Sequence, residues 1–271
     1  MSRLLVSDID PIKKRLKQYD ALFKEQTGYT MEETAKRAVA LSNTIIKKKT
    51  AFVTITSGLG VISGFAKAEE AIISYCGIET KVMEKTDVAG LQEAYQSDCE
   101  IAFMADDNVC SAFGIGSRVA SDNGWTTGTG FAEALIEAMV KKGINPKDQQ
   151  ILIIGVGPVG TAAAQYLSEQ QCIPILCDLD LDKAIKKAEC IKNAQYCETP
   201  APCQDFTYIL DASTAGGFIT EKDVHSDTII AAPGMPCAVT EKAQRKATVI
   251  HNPLELGVMT MYFDCIKQSG E

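Results

Sequence analysis

Three glycines, Gly155, Gly157 and Gly160, stand at G-x-G-x-x-G spacing in ILIIGVGPVG, directly after four apolar residues. The following TAAAQYLSEQQ reads as a helix, and the next apolar run, CIPILCDLD, brings Asp178 eighteen positions beyond Gly160. Strand, glycine turn, helix, strand and acid, in that order, describe a dinucleotide site. Gly155 lets the chain turn sharply out of a strand. Gly157 has no side chain to block a pyrophosphate, and Gly160 lets the helix lie close to the sheet. Pro158 and Val159 complete the loop, whose free N–H groups and helix dipole would meet the phosphates. Asp178 then sits where an acid accepts hydrogen bonds from the adenosine ribose. A carboxylate repels a 2′-phosphate, and no Arg stands among Leu179, Asp180, Leu181 and Asp182, so NAD is expected rather than NADP. Without the glycines, Asp178 would read as a strand end or the cap of the next helix.

Other chemistry-bearing residues fall at the carboxyl ends of expected strands, where open α/β sheets bind ligands. Asp211-Ala212-Ser213-Thr214 and Ala232-Pro233-Gly234 are placed to pass beside a nicotinamide and its ribose. For Pro233-Gly234 plain turn chemistry is a rival reading. Asn252-Pro253-Leu254 closes the last strand. In the first half Thr56-Ser57-Gly58 and Asp106-Asp107-Asn108 close strands and would face a cleft. Adjacent carboxylates in extended chain point opposite ways, so one of Asp106 and Asp107 should meet the ligand while the other caps a turn. Such a carboxylate suits a cationic amine. The two histidines, His225 and His251, have no paired acid in sequence, and neither a His-based acid/base mechanism nor a Ser-His-Asp hydrolase is supported.

The elements that must position these groups alternate. Residues 8–27 read as an amphipathic helix with Pro11 in its first turn and Gly28 as its stop. Residues 31–48 read as a second helix with a capping box from Thr30 and Glu33. Strands are expected at 51–56, 79–84 and 100–105, with helices at 62–76 and 87–97 between them. Residues 109–130 read as irregular, followed by a helix from Phe131 to Gly143. Strands at 151–154, 173–178, 208–214, 228–234 and 247–252 and an apolar helix at 256–268 complete the pattern. This is an α/β protein: a Rossmann-type NAD-binding domain over 132–271, with the C-terminal helix, and a smaller helical and α/β substrate domain over 1–131.

The 271 residues suffice for two modest domains, and 46% hydrophobic with 23% charged residues is ordinary for a globular enzyme. A net charge of −8 argues against a nucleic-acid partner. The one dense basic run, Lys47 to Lys49, is explained by the dipole at the end of the second helix. No segment reads as a signal peptide or membrane span. Ten scattered cysteines without a C-x-x-C pair suggest reduced thiols in the cytoplasm, not disulfides or a metal site.

TSGLGVISGFAKAEEAI, IAFMADDN, GVGPVG and APGMPCAVTEK together resemble the pyrrolysine synthase family, from the N-terminal helix to the last strand. The resemblance implies a homodimeric NAD-dependent dehydrogenase acting on the small molecule 3-methylornithyl-lysine. Oxidation of its terminal aminomethyl carbon, release of ammonia and ring closure would yield pyrrolysine. It further implies that Asp106 binds a substrate amine as the catalytic carboxylate and that Ser57 and Phe65 line the substrate pocket. Leu5 would belong to a lid, and Thr127, Ser213 and Pro233 would neighbour the cofactor. The apolar C-terminal helix is compatible with a dimer interface. One departure concerns the glutamate that precedes Pro-Leu-Gly in the family. Here Asn252 precedes Pro253-Leu254, so either Asn252 makes a neutral contact or Glu255 supplies the charge. Another NAD-linked amino-acid dehydrogenase and a non-catalytic NAD sensor are the alternatives.

Overall fold

The computed structural model describes residues 4–42, 46–59, 61–199 and 202–270. The chain opens with a single turn, α1 (Val6–Ile9), and then α2 (Ile12–Thr27), which Gly28 ends with φ +94°. In α3 (Met31–Ala38) the expected capping box is present: the Thr30 hydroxyl accepts from Glu33 N and the Glu33 carboxylate from Thr30 N. This helix is shorter than expected. Ala40 takes φ +50°, and Leu41 N–H returns to the Lys36 carbonyl, which closes the helix ten residues early. Residues 43–45 of the expected helix lie outside the described residues. The basic run therefore serves other elements. Lys47 Nζ donates to the carbonyls of Cys76 and Gly77, and Lys49 pairs with Glu79 and Asp98.

A first sheet follows from β1 (Thr50–Val53), α4 (Phe65–Tyr75), β2 (Thr80–Val82), α5 (Asp87–Gln96), β3 (Ile101–Ala105), β4 (Cys110–Gly114) and β5 (Val119–Asp122). Its order is β2-β1-β3-β4-β5, with the first three strands parallel and the last two antiparallel. Residues 109–130, expected to be irregular, thus form the β4–β5 hairpin and the start of α6 (Asn123–Lys141). Asp122 caps α6 by accepting from Trp125 N. The glycines in its first turns suggested a loop, but packing needs them. A Cβ on Gly128 would stand 2.3 Å from the Val159 carbonyl oxygen.

The second sheet is built from β6 (Gln150–Ile154), α7 (Pro158–Glu169), β7 (Ile173–Cys177), α8 (Leu181–Cys190), β8 (Gln195–Tyr196), β9 (Tyr208–Asp211), β10 (Ile229–Ala231), α9 (Glu241–Gln244) and β11 (Thr248–Ile250). Its six parallel strands run β11-β10-β9-β6-β7-β8. Counted along the chain within this sheet, the order is 3-2-1-4-5-6, that of a doubly wound dinucleotide-binding fold. The expected Rossmann-type architecture is therefore present. Its switch point lies between β6 and β9, above which the glycine loop turns.

The last helix, α10 (Glu255–Gln268), crosses back to pack against α3, α4, β4, β5 and α6. Its apolar residues, among them Met259, Tyr262 and Phe263, are fully buried within the chain. Its apolar character is satisfied internally, so it does not by itself call for a partner subunit. A polar cluster locks α3, α6 and α7 together. Arg37 Nε pairs with Glu137 at 2.8 Å and Glu133 at 3.1 Å, Tyr166 donates to Glu133, and Thr34 donates to Glu137. All ten cysteines are unpaired, and no helix among the described residues is long and apolar enough to cross a membrane.

Candidate functional site

The three glycines meet the needs that their spacing implied. Gly155 has φ +86°, and its backbone lies against Ala212 and Ser213, the chain leaving β9. A Cβ on Gly160 would fall 1.9 Å from the Gly155 carbonyl oxygen, so the first turn of α7 can approach the strand end only through glycine. Gly157, at the N-cap of α7, has nothing within 4 Å of where a Cβ would stand. The space is open above the free N–H groups of a helix start, which is what a pyrophosphate requires. Gly157 and Pro158 border a depression that Lys183 and Lys187 of α8 also line, placing cations beside that helix end.

Asp178 directly follows β7 and accepts from Val156 N at 2.8 Å and Asp180 N at 3.1 Å. It thereby ties the glycine loop to the neighbouring strand. Burial pushes its carboxyl up, but these N–H donors and the Lys183 ammonium, 3.2 Å away, outweigh that and leave it below the usual carboxylate value. Lys183 is a residue that sequence reasoning missed. It stands one position past the stretch searched for a cation, and the first turn of α8 brings it round to the acid.

A cavity of about 460 Å³ lies between the two sheets, over α6. Of the residues expected at the site, it brings together Ser57, Phe65 and Asp106 from the first sheet, Thr127 from α6, and Val159, Pro233 and Asn252 from the second. The substrate-side and cofactor-side candidates thus share one chamber. From the N-terminal segment it is Leu4 that lines the cavity. Leu5, the expected lid residue, is 65% exposed, and its N–H donates to Asp8 at the start of α1. Ser213 does not line the cavity; it stands on the backbone that abuts Gly155, with its N–H donated to Asp211.

Both Asp106 and Asp107 line the cavity and are exposed. Asp106 Oδ1 accepts from the N–H groups of Asn108 and Val109, so Asp106 braces its own turn. Those N–H groups, Val109's above all, hold its carboxyl below the usual range. Asp107 reaches the opposite loop and accepts from Leu59 N. The turn-capping role expected of the second acid therefore falls to the first, although Asp106 keeps its other oxygen.

Asn252 is buried at the cavity wall, and its Oδ1 accepts from Leu256 N at 3.1 Å, capping α10. A backbone N–H must face the amide oxygen, so the NH2 is left whole to donate to a ligand, beside the oxygen's second lone pair. Glu255 is fully buried, does not line the cavity, and accepts from Leu254 N. Burial pushes its carboxyl up, and the Arg15 charge partly opposes this.

Two further features escaped the sequence reading. Glu69 on α4 is 2% exposed, yet it lines the cavity. Burial pushes its carboxyl up to about 8. The signal was available: Glu69 follows Phe65 by four positions and shares its buried stripe with Ile72 and Ile73. The second is Asp211, fully buried at the end of β9 and pushed up to about 6 by burial. Hydrogen bonds from Ser213 and the charge of His251 work against that rise, and one oxygen of Asp211 has no hydrogen-bond partner among the described residues. The His251 ring nitrogen Nδ1 lies 2.7 Å from the Ala232 carbonyl and so carries the proton, donating to that oxygen.

Comparison with known proteins gives the following. Residues 8–121 match the family model described as pyrrolysine biosynthesis protein PylD, N-terminal domain. The chain is 28% identical over 272 residues to pyrrolysine synthase of Methanosarcina barkeri (strain Fusaro / DSM 804), covering 98% of each chain. It is 26% identical over 268 residues to pyrrolysine synthase of Methanosarcina acetivorans, covering 98% of this chain and 100% of that one. The resemblance to pyrrolysine synthase therefore holds along almost the entire chain. Among solved structures, quinate dehydrogenase from Corynebacterium glutamicum in complex with NAD superposes with a TM-score of 0.55 at 13% identity, covering 83% of this chain and 94% of that one. At that identity the likeness concerns the fold alone.

Proposed function

We propose that this protein is an NAD-dependent oxidoreductase of pyrrolysine biosynthesis. Its reaction is oxidation of the terminal aminomethyl carbon of 3-methylornithyl-lysine, with release of ammonia and closure to the pyrroline ring. The observation that supports this most is the shared cavity, in which Val159 at the glycine loop and Pro233 beyond β10 face the carboxylates beyond β3. Similarity to pyrrolysine synthases over 98% of the chain agrees with it.

The dinucleotide, when bound, supplies the hydride acceptor. Gly157 leaves room for its phosphates, the start of α7 offers N–H donors to them, and Asp178 is placed for the ribose hydroxyls. Thr127 and Pro233 line the cavity together with Val159 of the glycine loop, while Ser213 supports the loop from β9. On the other side Asp106 holds a substrate ammonium with the oxygen its turn leaves free. Phe65 and Leu4 provide apolar wall that excludes water from the reacting carbon, and Ser57 lines the entrance loop. The Asn252 amide donates to a carbonyl or carboxylate of the substrate. A homodimer, which the resemblance implies, would use a surface other than α10. We assign the Rossmann half to 132–271 and the substrate half to 1–131, with α10 seated on the latter.

The test is to incubate the protein with NAD and 3-methylornithyl-lysine, following NADH by absorbance and pyrrolysine by mass. Both should appear. NADH formed only with a smaller amino acid would mean a different dehydrogenase, and NAD binding without reduction by any amine would mean a sensor.

A further inference from the structure

Glu69 is a buried acid with no cation. It projects from α4 one turn beyond Phe65 and lines the cavity with Phe65 and Cys110. Among the described residues it makes no ion pair, and its carboxylate accepts a long hydrogen bond from the Cys110 thiol at 4.0 Å. A carboxylate taken out of water without a partner is heavily penalised. If the position served packing only, a Gln, Met or Leu of similar volume would avoid that penalty. The carboxyl stands where a ligand can reach it, buried on the chamber wall, whereas Asp106 and Asp107 are exposed.

We propose that Glu69 receives the reacting ammonium of the substrate and takes a proton from it, a role that rests on the amine-oxidising reading above. An ammonium has no lone pair, so its carbon cannot release hydride. When the N–H bond breaks, its proton goes to a Glu69 oxygen and the electron pair stays on nitrogen. That pair forms the C=N bond as the C–H pair leaves as hydride to the nicotinamide oxidant. The substrate carbon is oxidised, the nicotinamide is reduced, and Glu69 ends neutral. The non-reacting ammonium groups remain for Asp106 and Asp107.

The environment of Glu69 matches the task. Burial alone raises its carboxyl to about 8, close to working pH, where a proton acceptor for an ammonium is most effective. The thiol facing it from β4, Cys110, is itself raised well above its usual value, first by burial and then by Glu69. Among the described residues, the other charged groups on the chamber are Asp106 and Asp107 beyond β3 and the exposed Lys67 on α4. No charge on α1, α2, β1, β2 or α10 displaces the Glu69 equilibrium.

The test uses the full chain with NAD and 3-methylornithyl-lysine. Glu69→Gln keeps size and hydrogen bonding but cannot take a proton. It should lower kcat at least 100-fold, leave NADH affinity unchanged, and remove the acid limb of the wild-type pH profile. Glu69→Asp should recover part of the loss. A kcat within threefold of wild type in Glu69→Gln, with the same profile, overturns the proposal. Wild-type protein that produces no NADH overturns the functional reading instead. Glu69 is still judged in that case by infrared difference spectra with 1,5-diaminopentane. In the difference spectrum at pH 6 wild type should lose a protonated-carboxyl C=O band as the diamine binds, and Glu69→Gln should show no such loss. No loss from wild type at saturating diamine, or an equal loss from Glu69→Gln, overturns the proposal.

Discussion

Adding one carbon at two places three residues apart should give opposite results. At Gly160 the new methyl would stand 1.9 Å from the Gly155 carbonyl oxygen, a main-chain atom at the end of β6. Real contacts of this kind stay above about 3 Å, so helix and strand must separate by more than ~1 Å. Overpacking of this sort costs about 1–3 kcal/mol or more. At about 2–4 °C per kcal/mol, Gly160→Ala should melt roughly 2–12 °C below wild type. At Gly157 the methyl meets no atom within 4 Å, and the backbone, at φ −69°, accepts any L residue. The only penalty is a poorer N-cap, at most about 1 kcal/mol. The methyl nevertheless fills the space above the α7 amides. Losing one charge-assisted hydrogen bond there removes about 1.5–3 kcal/mol, or ~10–100-fold in affinity. Gly157→Ala should therefore melt like wild type but bind NAD 10–100-fold more weakly by calorimetry. Wild-type NAD affinity in Gly157→Ala would refute the placement of the phosphates, whatever its melting temperature.

The acid of β7 should set cofactor choice together with Lys183. Asp178→Ser leaves that ammonium without its carboxylate, so the NADPH:NADH affinity ratio should rise at least tenfold by fluorescence titration; an unchanged ratio would remove Asp178 from the ribose site. Asp106 is open to solvent, which screens its pairing with an ammonium. Asp106→Ala is thus expected to raise KM about 3–10-fold with NADH affinity constant, and an unchanged KM would assign the amine to other groups. Stability should fall as pH rises. Glu69 and Glu137, raised by burial to about 8 from an ordinary 4.5, keep protons in the folded chain that the unfolded chain has already released. Their contribution is complete below about 4.5 and is lost towards 8. Melting temperature should decline across that window, and less steeply in Glu69→Gln; a parallel decline would show that Glu69 does not titrate with folding.

The dinucleotide half was legible because its requirements are local. Each glycine answers a need set by neighbours a few residues away, and strand, turn and helix follow directly from it. What stayed hidden depended on distant contacts. The glycines of α6 read as loop because the main chain of α7, which presses on Gly128, cannot be seen from residues 123–130. The apolar α10 resembled an interface because its intramolecular partners, α3 and β4 among them, lie over a hundred residues upstream. Glu69 resembled an ordinary solvent-facing charge in AKAEEAI, and only its place on the stripe of Ile72 and Ile73 distinguished it. At the N-terminus Leu4 lines the cavity while Leu5 caps the single turn of α1.

The return of α10 to the first sheet has a consequence for the order of events during synthesis. The ribosome releases β1 to β5 early, but the helix covering α3, α4 and that hairpin emerges some 130 residues later. The sheet of the second half is itself completed by β11 only four residues before α10 begins. A nascent chain should therefore carry an earlier half whose apolar face stays bare until both are made. During that interval the early half is the part that needs a chaperone. The same arrangement gives the mature protein two main-chain crossings between its sheets, one into β6 and one into α10. A pair of crossings permits opening and closing about the line that joins them and resists twisting, as two hinges on a door do.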